Sequence, residues 1–230
     1  MRFILKAWLP LLNVGALGAL AYLLVRWSDL TAAHKLSFVV TILLVLHINE
    51  EEWAPGGFAY LFNVLLHKSA APDRYPMSPV IAMVVDVVVW SSLFLPALFF
   101  PHVIWLGLAP MFLAILESVT HGVLIGIVLQ WRGRGWSPYN PGLVTAVLLA
   151  ATGAVYIVVA VSDHLIGGLD WFWAVLYFIG TVFVGLVLPE QGFRSVTARW
   201  AFTPEQTLGY YRRYTTVEET FGGLQPAGAQ

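Results

Sequence analysis

The sequence predicts an all-α, polytopic membrane helix bundle of about six transmembrane helices in a single domain spanning residues 1–230, with an interfacial helix near the C-terminus. Two observations predict it. Charged residues make up 11% of the 230 residues and hydrophobic ones 59%, at a mean hydropathy of +0.76, whereas soluble domains carry about 25% charged residues. Six apolar stretches are also close to, or above, the roughly 20 residues that a helix needs to cross a hydrocarbon core about 30 Å thick.

The spans fall near 7–25, 35–53, 77–100, 102–131, 141–162 and 171–188. The first follows Arg2 and Lys6 as a signal peptide would, but its apolar run exceeds the roughly 7–15 residues usual for such a segment, so it reads as a retained span. The second ends in the polar cluster His47-Ile48-Asn49-Glu50-Glu51-Glu52 and is broken by Pro55-Gly56-Gly57. The stretch 58–66 is too short to span and is expected to lie at the interface or re-enter. Pro101 ends the third span, and the long fourth is expected to tilt. Asn140-Pro141 opens the fifth with the form of an N-cap followed by proline at N1. Pro189 is expected to stop the sixth. Thr203-Pro204-Glu205-Gln206 then has the form of a capping box, and a short helix to about Tyr214 follows, its Trp200, Phe202, Tyr210 and Tyr211 beside Arg212 and Arg213 suiting an interfacial position. The Gly/Pro/Ala-rich end after Phe221 reads as disordered.

Charge sets orientation and excludes some partners. With six spans, ten of the twelve basic residues share one side and only Arg26 and Lys35 lie opposite. The positive-inside rule then puts both termini, and the tail 190–230, in the cytoplasm. A net charge of -1 leaves no footprint for nucleic acid. Cysteine is absent, which excludes disulfides, thiolate ligands and a cysteine nucleophile.

Within the spans, ionisable residues are costly, about +2.5 to +3.5 kcal/mol for Asp near a helix centre. The second span supplies His47, Glu50 and Glu51, the third Asp86, and the fourth Glu117 and His121. At about 100° per residue, His47 lies within about 60° of Glu50 and Glu51, and Glu117 about 40° from His121. Glu52 turns about 100° from Glu51 and reads as a solvated carboxylate. Counted at about 1.5 Å per residue, His47, Asp86 and Glu117 all fall in the inner half of the core, so one shared site is possible.

Two histidines with up to four carboxylates suit a carboxylate-bridged dinuclear centre in a helical bundle. They equally suit one Zn held by two His and a Glu, with a spare carboxylate as general base. A proton relay in a carrier or pore needs the same carboxylates and no metal, and hydrogen-bonded pairs such as Glu117 with His121 would serve packing alone. In the metal reading, His47, Glu51, Glu117 and His121 are the ligands of one or two divalent ions, Zn or Fe. Glu50 is the general base, Asp86 orients a ligand, and Asn140 either projects its amide into the site or only caps its helix. The substrate is a lipid or other apolar molecule entering from the bilayer, with zinc favouring hydrolysis and two irons oxidation. Gly122 and Gly126 form a GxxxG step for close helix approach, and Asn13 faces the polar set or packs between helices.

The motif His47-Ile48-Asn49-Glu50-Glu51, with the downstream Glu117 to His121 and Asn140-Pro141, resembles the HXXEE-domain family of bacterial integral membrane proteins. The resemblance runs from His47 to the fifth span. It implies that His47, Glu50, Glu51, His121 and Asn140 form the functional set; the family is of unknown function with a suspected enzymatic activity, and the resemblance names no substrate. GxSxG, Walker A and GxGxxG patterns are missing, which removes serine-triad hydrolases, nucleotide-driven pumps and Rossmann dehydrogenases.

Overall fold

The computed structural model describes residues 1–129, 137 and 139–222. Among them are six helices long and apolar enough to cross a membrane: α1 Arg2–Val25, α2 Ala32–Glu52, α3 Pro79–Phe99, α4 Ile104–Gly126, α5 Leu143–Ser162 and α6 Asp170–Phe193. No strand occurs among the described residues. The expected end of the fourth span at Trp131, the loop with Arg132 and Arg134, and residues 223–230 lie outside the described residues.

Local chemistry explains the starts of two of the six spans. The Thr31 hydroxyl accepts from the His34 amide at 3.2 Å to cap α2, and Ser78 caps α3 with Pro79 in the first turn, where its missing N–H costs nothing. Pro189 does not stop α6, contrary to expectation. Residues Phe183–Val187 widen into a π-type winding, and Leu188–Phe193 resumes as a new α-helical segment with Pro189 in its first turn. The same device carries α3 past Pro96, after the wide turn Trp90–Phe94. In both places the re-started segment tolerates a residue that donates no hydrogen bond.

The fifth span also begins differently. Asn140 is not an N-cap; α5 starts at Leu143 after Gly142, whose φ of 96° belongs to the left-handed region. Pro141-Gly142 therefore acts as a turn, and the Asn140 side chain is released for other work.

Helix α5 packs along α4 and α2, α6 lies against α4, and α1 against α2. Val40, Leu44, Val45, Leu93, Phe94, Leu108, Met111 and Leu149 fill the core between them. Large apolar side chains stay exposed along α1, α5 and α6, for instance Leu11, Val14, Val158, Phe172 and Phe183. An apolar surface of this kind is disfavoured in water and accepted by hydrocarbon, which fits a membrane protein.

The first turn of α1 meets the segment that follows α6 at one end of the bundle, where the Arg2 guanidinium lies 5.7 Å from the Trp200 ring. The expected capping box at Thr203 and Gln206 is present and opens the short helix Pro204–Leu208. Its aromatic neighbours turn onto protein: Phe202, Tyr210 and Tyr211 are buried, Tyr211 stacking on Tyr60 at 4.9 Å and Tyr210 meeting Tyr139 at 5.0 Å. The tail rests backbone to backbone on the turn after α2. The Tyr210 amide donates to the Gly56 carbonyl at 3.0 Å, and a side chain on Gly57 would start 2.8 Å from the Leu208 carbonyl oxygen. The segment too short to span, Tyr60–Leu66, is helical, with Tyr60, Leu61 and Asn63 buried.

Candidate metal centre

The central helices α2 and α4 bring His47, Glu51, Glu117 and His121 together. His121 Nε2 lies 3.1 Å from Glu51 Oε1 and 3.7 Å from Glu117 Oε2. His47 Nε2 lies 3.6 Å from Glu51 Oε2 and 3.9 Å from Glu117 Oε2. The imidazoles meet edge to face at 4.9 Å. His47, Glu51 and His121 are buried, and each offers a ligand atom within 4.8 Å of the other two. Glu117, with 24% of its side chain exposed, flanks that trio on the open side.

Hydrogen bonds on the far side of each ring assign its tautomer. The Asn140 amide nitrogen donates to the His121 carbonyl at 2.9 Å, so the amide oxygen must be the atom 2.8 Å from His121 Nδ1. A carbonyl oxygen only accepts, which puts a proton on Nδ1. For His47, Nδ1 lies 3.1 Å from the Gly142 carbonyl and 3.0 Å from the Thr145 hydroxyl. That hydroxyl gives its proton to Glu50 at 2.5 Å, leaving its oxygen to accept from Nδ1 of His47 beside the carbonyl. Both rings are thus held by backbone and side-chain acceptors, the arrangement that orients metal-ligating histidines.

With Nδ1 protonated on both, each neutral imidazole directs the lone pair of Nε2 into the carboxylates. Lone pairs facing carboxylate oxygens repel unless a cation or protons lie among them. His121 Nε2 is buried and has no hydrogen-bond partner despite the oxygen 3.1 Å away. Ligands of a tetrahedral zinc, each about 2.0–2.1 Å from the ion, stand about 3.3 Å apart, so these spacings fit a divalent metal. Two imidazoles and a carboxylate suit Zn and Fe(II) alike.

The other expected site residues have different fates. Asn140 holds His121 as described. The Glu50 carboxylate is engaged at the start of α5, where it accepts from the Tyr139 hydroxyl at 2.9 Å, the Val144 amide at 3.3 Å, and the Thr145 amide and hydroxyl at 2.9 and 2.5 Å. It anchors the first turn of α5, where a negative charge meets unpaired amides and the helix dipole. Burial, then the bond to Glu50, raises the Tyr139 phenol above its usual range and keeps it a donor. Asp86 lies within electrostatic reach of Glu52, Glu51 and Glu117 but makes no hydrogen bond or ion pair among the described residues. Among the described residues Gly122 has open space around it and makes no close helix contact, whereas Gly126 leaves room beside the Asn140 amide.

Thr145, Tyr139 and Gly142 escape a reading of the sequence. A β-carbon on Gly142 would fall 2.3 Å from His121 Cε1, so only glycine lets the start of α5 approach that ring. The signal available was the dipeptide Pro141-Gly142, which marks a turn with a left-handed second residue more strongly than a helix start. The other structural device is the wide winding of Thr120–Leu129, within which the His121 carbonyl accepts from Asn140; such windings recur at functional sites.

A family model described as a protein of unknown function with HXXEE motif matches residues 38–157. No curated protein and no solved structure matches the chain.

Proposed function

The chain belongs to the family of proteins of unknown function with an HXXEE motif, and for this member we propose a metal-dependent membrane enzyme that hydrolyses a lipid or other apolar substrate. The observation that carries the reading is the convergence of two Nε2 lone pairs and the Glu51 carboxylate, with His121 Nε2 buried and without a hydrogen-bond partner. His47, His121 and Glu51 would hold one zinc ion. A bound zinc supplies Lewis acidity toward water and toward a carbonyl or phosphoryl oxygen.

Hydrolysis is preferred to oxidation because a fourth group stands ready. Glu117 is the carboxylate with an open side, and it takes the general-base role that Glu50 is too heavily hydrogen-bonded to fill. Leu116 beside it, and Val123 and Leu124 further along the same helix, are exposed, so an apolar molecule reaching Glu117 from the bilayer meets a matching surface. The basic residues orient the site toward the cytoplasmic half of the bacterial membrane, with both termini in the cytoplasm.

Elemental analysis of protein purified without chelator tests this. We expect about one zinc per chain, lost in His47→Ala, His121→Ala and Glu51→Gln, while Glu117→Gln keeps the metal and loses ester or phosphoester hydrolysis. A metal-free wild type that conducts protons in liposomes, and stops when Glu51 is neutralised, would overturn the enzyme in favour of a carrier.

A further inference from the structure

A second polar site lies on the opposite side of α2. A cavity of about 590 Å³ opens between the first turns of α1, the last turn of α2, the start of α3 and the tail, with Lys6, Trp8, Asn13, Asn49, Glu52 and Trp53 in its wall. The two amides account for each other. Asn13 donates to Asn49 Oδ1 at 3.1 Å and to the Leu9 carbonyl at 3.0 Å, and Asn49 donates to Asn13 Oδ1 at 2.9 Å and to the Val45 carbonyl at 2.6 Å. Lys6 and Glu52 are left as opposite charges in one wall, and among the described residues neither has a hydrogen bond or an ion pair.

Opposite charges that share a cavity without pairing are complementary to a ligand that carries both signs. An anion fits Lys6. A cation with N–H donors fits Glu52, since a carboxylate only accepts. Trp8 and Trp53 line the same space, and indole favours the level where apolar chain gives way to polar headgroup. Beside the cavity, the outer face of α1 presents Phe3, Ile4 and Leu11 to the surroundings, a surface along which acyl chains can lie. The volume is that of a small-ligand site and suits a headgroup with its glycerol.

We propose that this cavity binds a membrane phospholipid whose headgroup carries a phosphate and a primary amine, the phosphate at Lys6 and the amine at Glu52. Nothing in it depends on the metal reading, because Asn49 and Glu52 lie about 160° and 140° around α2 from His47.

Native mass spectrometry of the detergent-solubilised protein, titrated with dimyristoyl phosphatidylethanolamine, phosphatidylcholine or phosphatidylglycerol, tests the proposal. The ethanolamine lipid should bind at least tenfold more tightly than the other two. Lys6→Met and Glu52→Gln should each weaken it about tenfold, and Glu52→Gln should also abolish the preference over phosphatidylcholine. His47→Ala should lose metal and keep the lipid, which separates this outcome from failure of the metal centre. Quenching of wild-type tryptophan fluorescence by chain-brominated lipids gives a test without charge variants: the ethanolamine lipid should quench at lower concentration, and Trp8→Phe should reduce the difference. Equal binding or quenching by all three lipids in the wild type, or an ethanolamine preference unchanged in both folded charge variants, would overturn it.

Discussion

The two polar faces of α2 are built on different terms. Toward α4 and α5, His47 has its Nδ1 held by the Gly142 carbonyl and Thr145, Glu50 accepts four hydrogen bonds, and the facing His121 is fixed by Asn140. What is left unsatisfied there is a set of lone pairs at fixed positions. Toward α1, the Asn13–Asn49 pair is closed on itself and the unsatisfied groups are two side chains of opposite charge around a cavity. Rigid lone pairs select a small cation by geometry. Opposite charges set around an open cavity suit a larger ligand that carries both signs.

The largest expected effect comes from filling a position, Gly142, where the pinned face depends on having no side chain. In Gly142→Ala the new methyl overlaps the His121 ring, whose Cε1 would be 2.3 Å away, and the backbone must keep a φ of 96°. Non-glycine residues resist that conformation, and such strain costs about 1–3 kcal/mol. Metal content should fall below a tenth of wild type, with a lower melting temperature in detergent. The ethanolamine lipid should still bind, since the other face is untouched. Full metal content in Gly142→Ala would mean that the contact between the start of α5 and His121 is not what holds the ring.

A smaller effect is expected from Asn140→Leu, which keeps the branched shape but removes both the acceptor at His121 Nδ1 and the donor to the His121 carbonyl. Loss of an outer partner of a metal-ligating histidine costs about 10–100-fold in metal affinity. Competition with a zinc chelator measures it. Unchanged affinity would remove the tautomer assignment, because the proton on Nδ1 would then need no partner.

These two residues also show how far the sequence could be read. Hydropathy and charge predicted six helices, because burial in a bilayer imposes a length and a composition that survive in the sequence whatever the packing. The i,i+4 pairs His47/Glu51 and Glu117/His121 were likewise visible, because helical geometry makes neighbours of residues at that spacing. Asn140 was visible as a polar residue at a helix start, but its use was not. Capping and ligand-holding ask for the same amide, and only the left-handed turn at Gly142 decides between them. Glu50 and Glu51 differ by about 100° on the helix, and nothing local says which of them meets the amides of a helix more than ninety residues later. Pro189 misled for a related reason: proline stops a regular α-helix, whereas a preceding wide turn lets the chain re-start.

The smallest effect is expected on the other face, and it sharpens the comparison by what it leaves alone. Asn49→Ala deletes both bonds across the α1–α2 interface, while Asn13 retains its bond to the Leu9 carbonyl. Side-chain hydrogen bonds between membrane helices average about 0.6 kcal/mol and reach about 1.7 kcal/mol. Alanine also suits a helix interior better than asparagine, which offsets part of the loss. A net destabilisation of about 1 kcal/mol or less should follow, read as a small shift in thermal unfolding. Zinc content and chelator competition should match wild type, because the Asn49 side chain bonds only Asn13 on α1 and the Val45 carbonyl within α2 among the described residues. Loss of metal in Asn49→Ala would show that α2 transmits changes from one face to the other, and the two sites would then have to be treated as one.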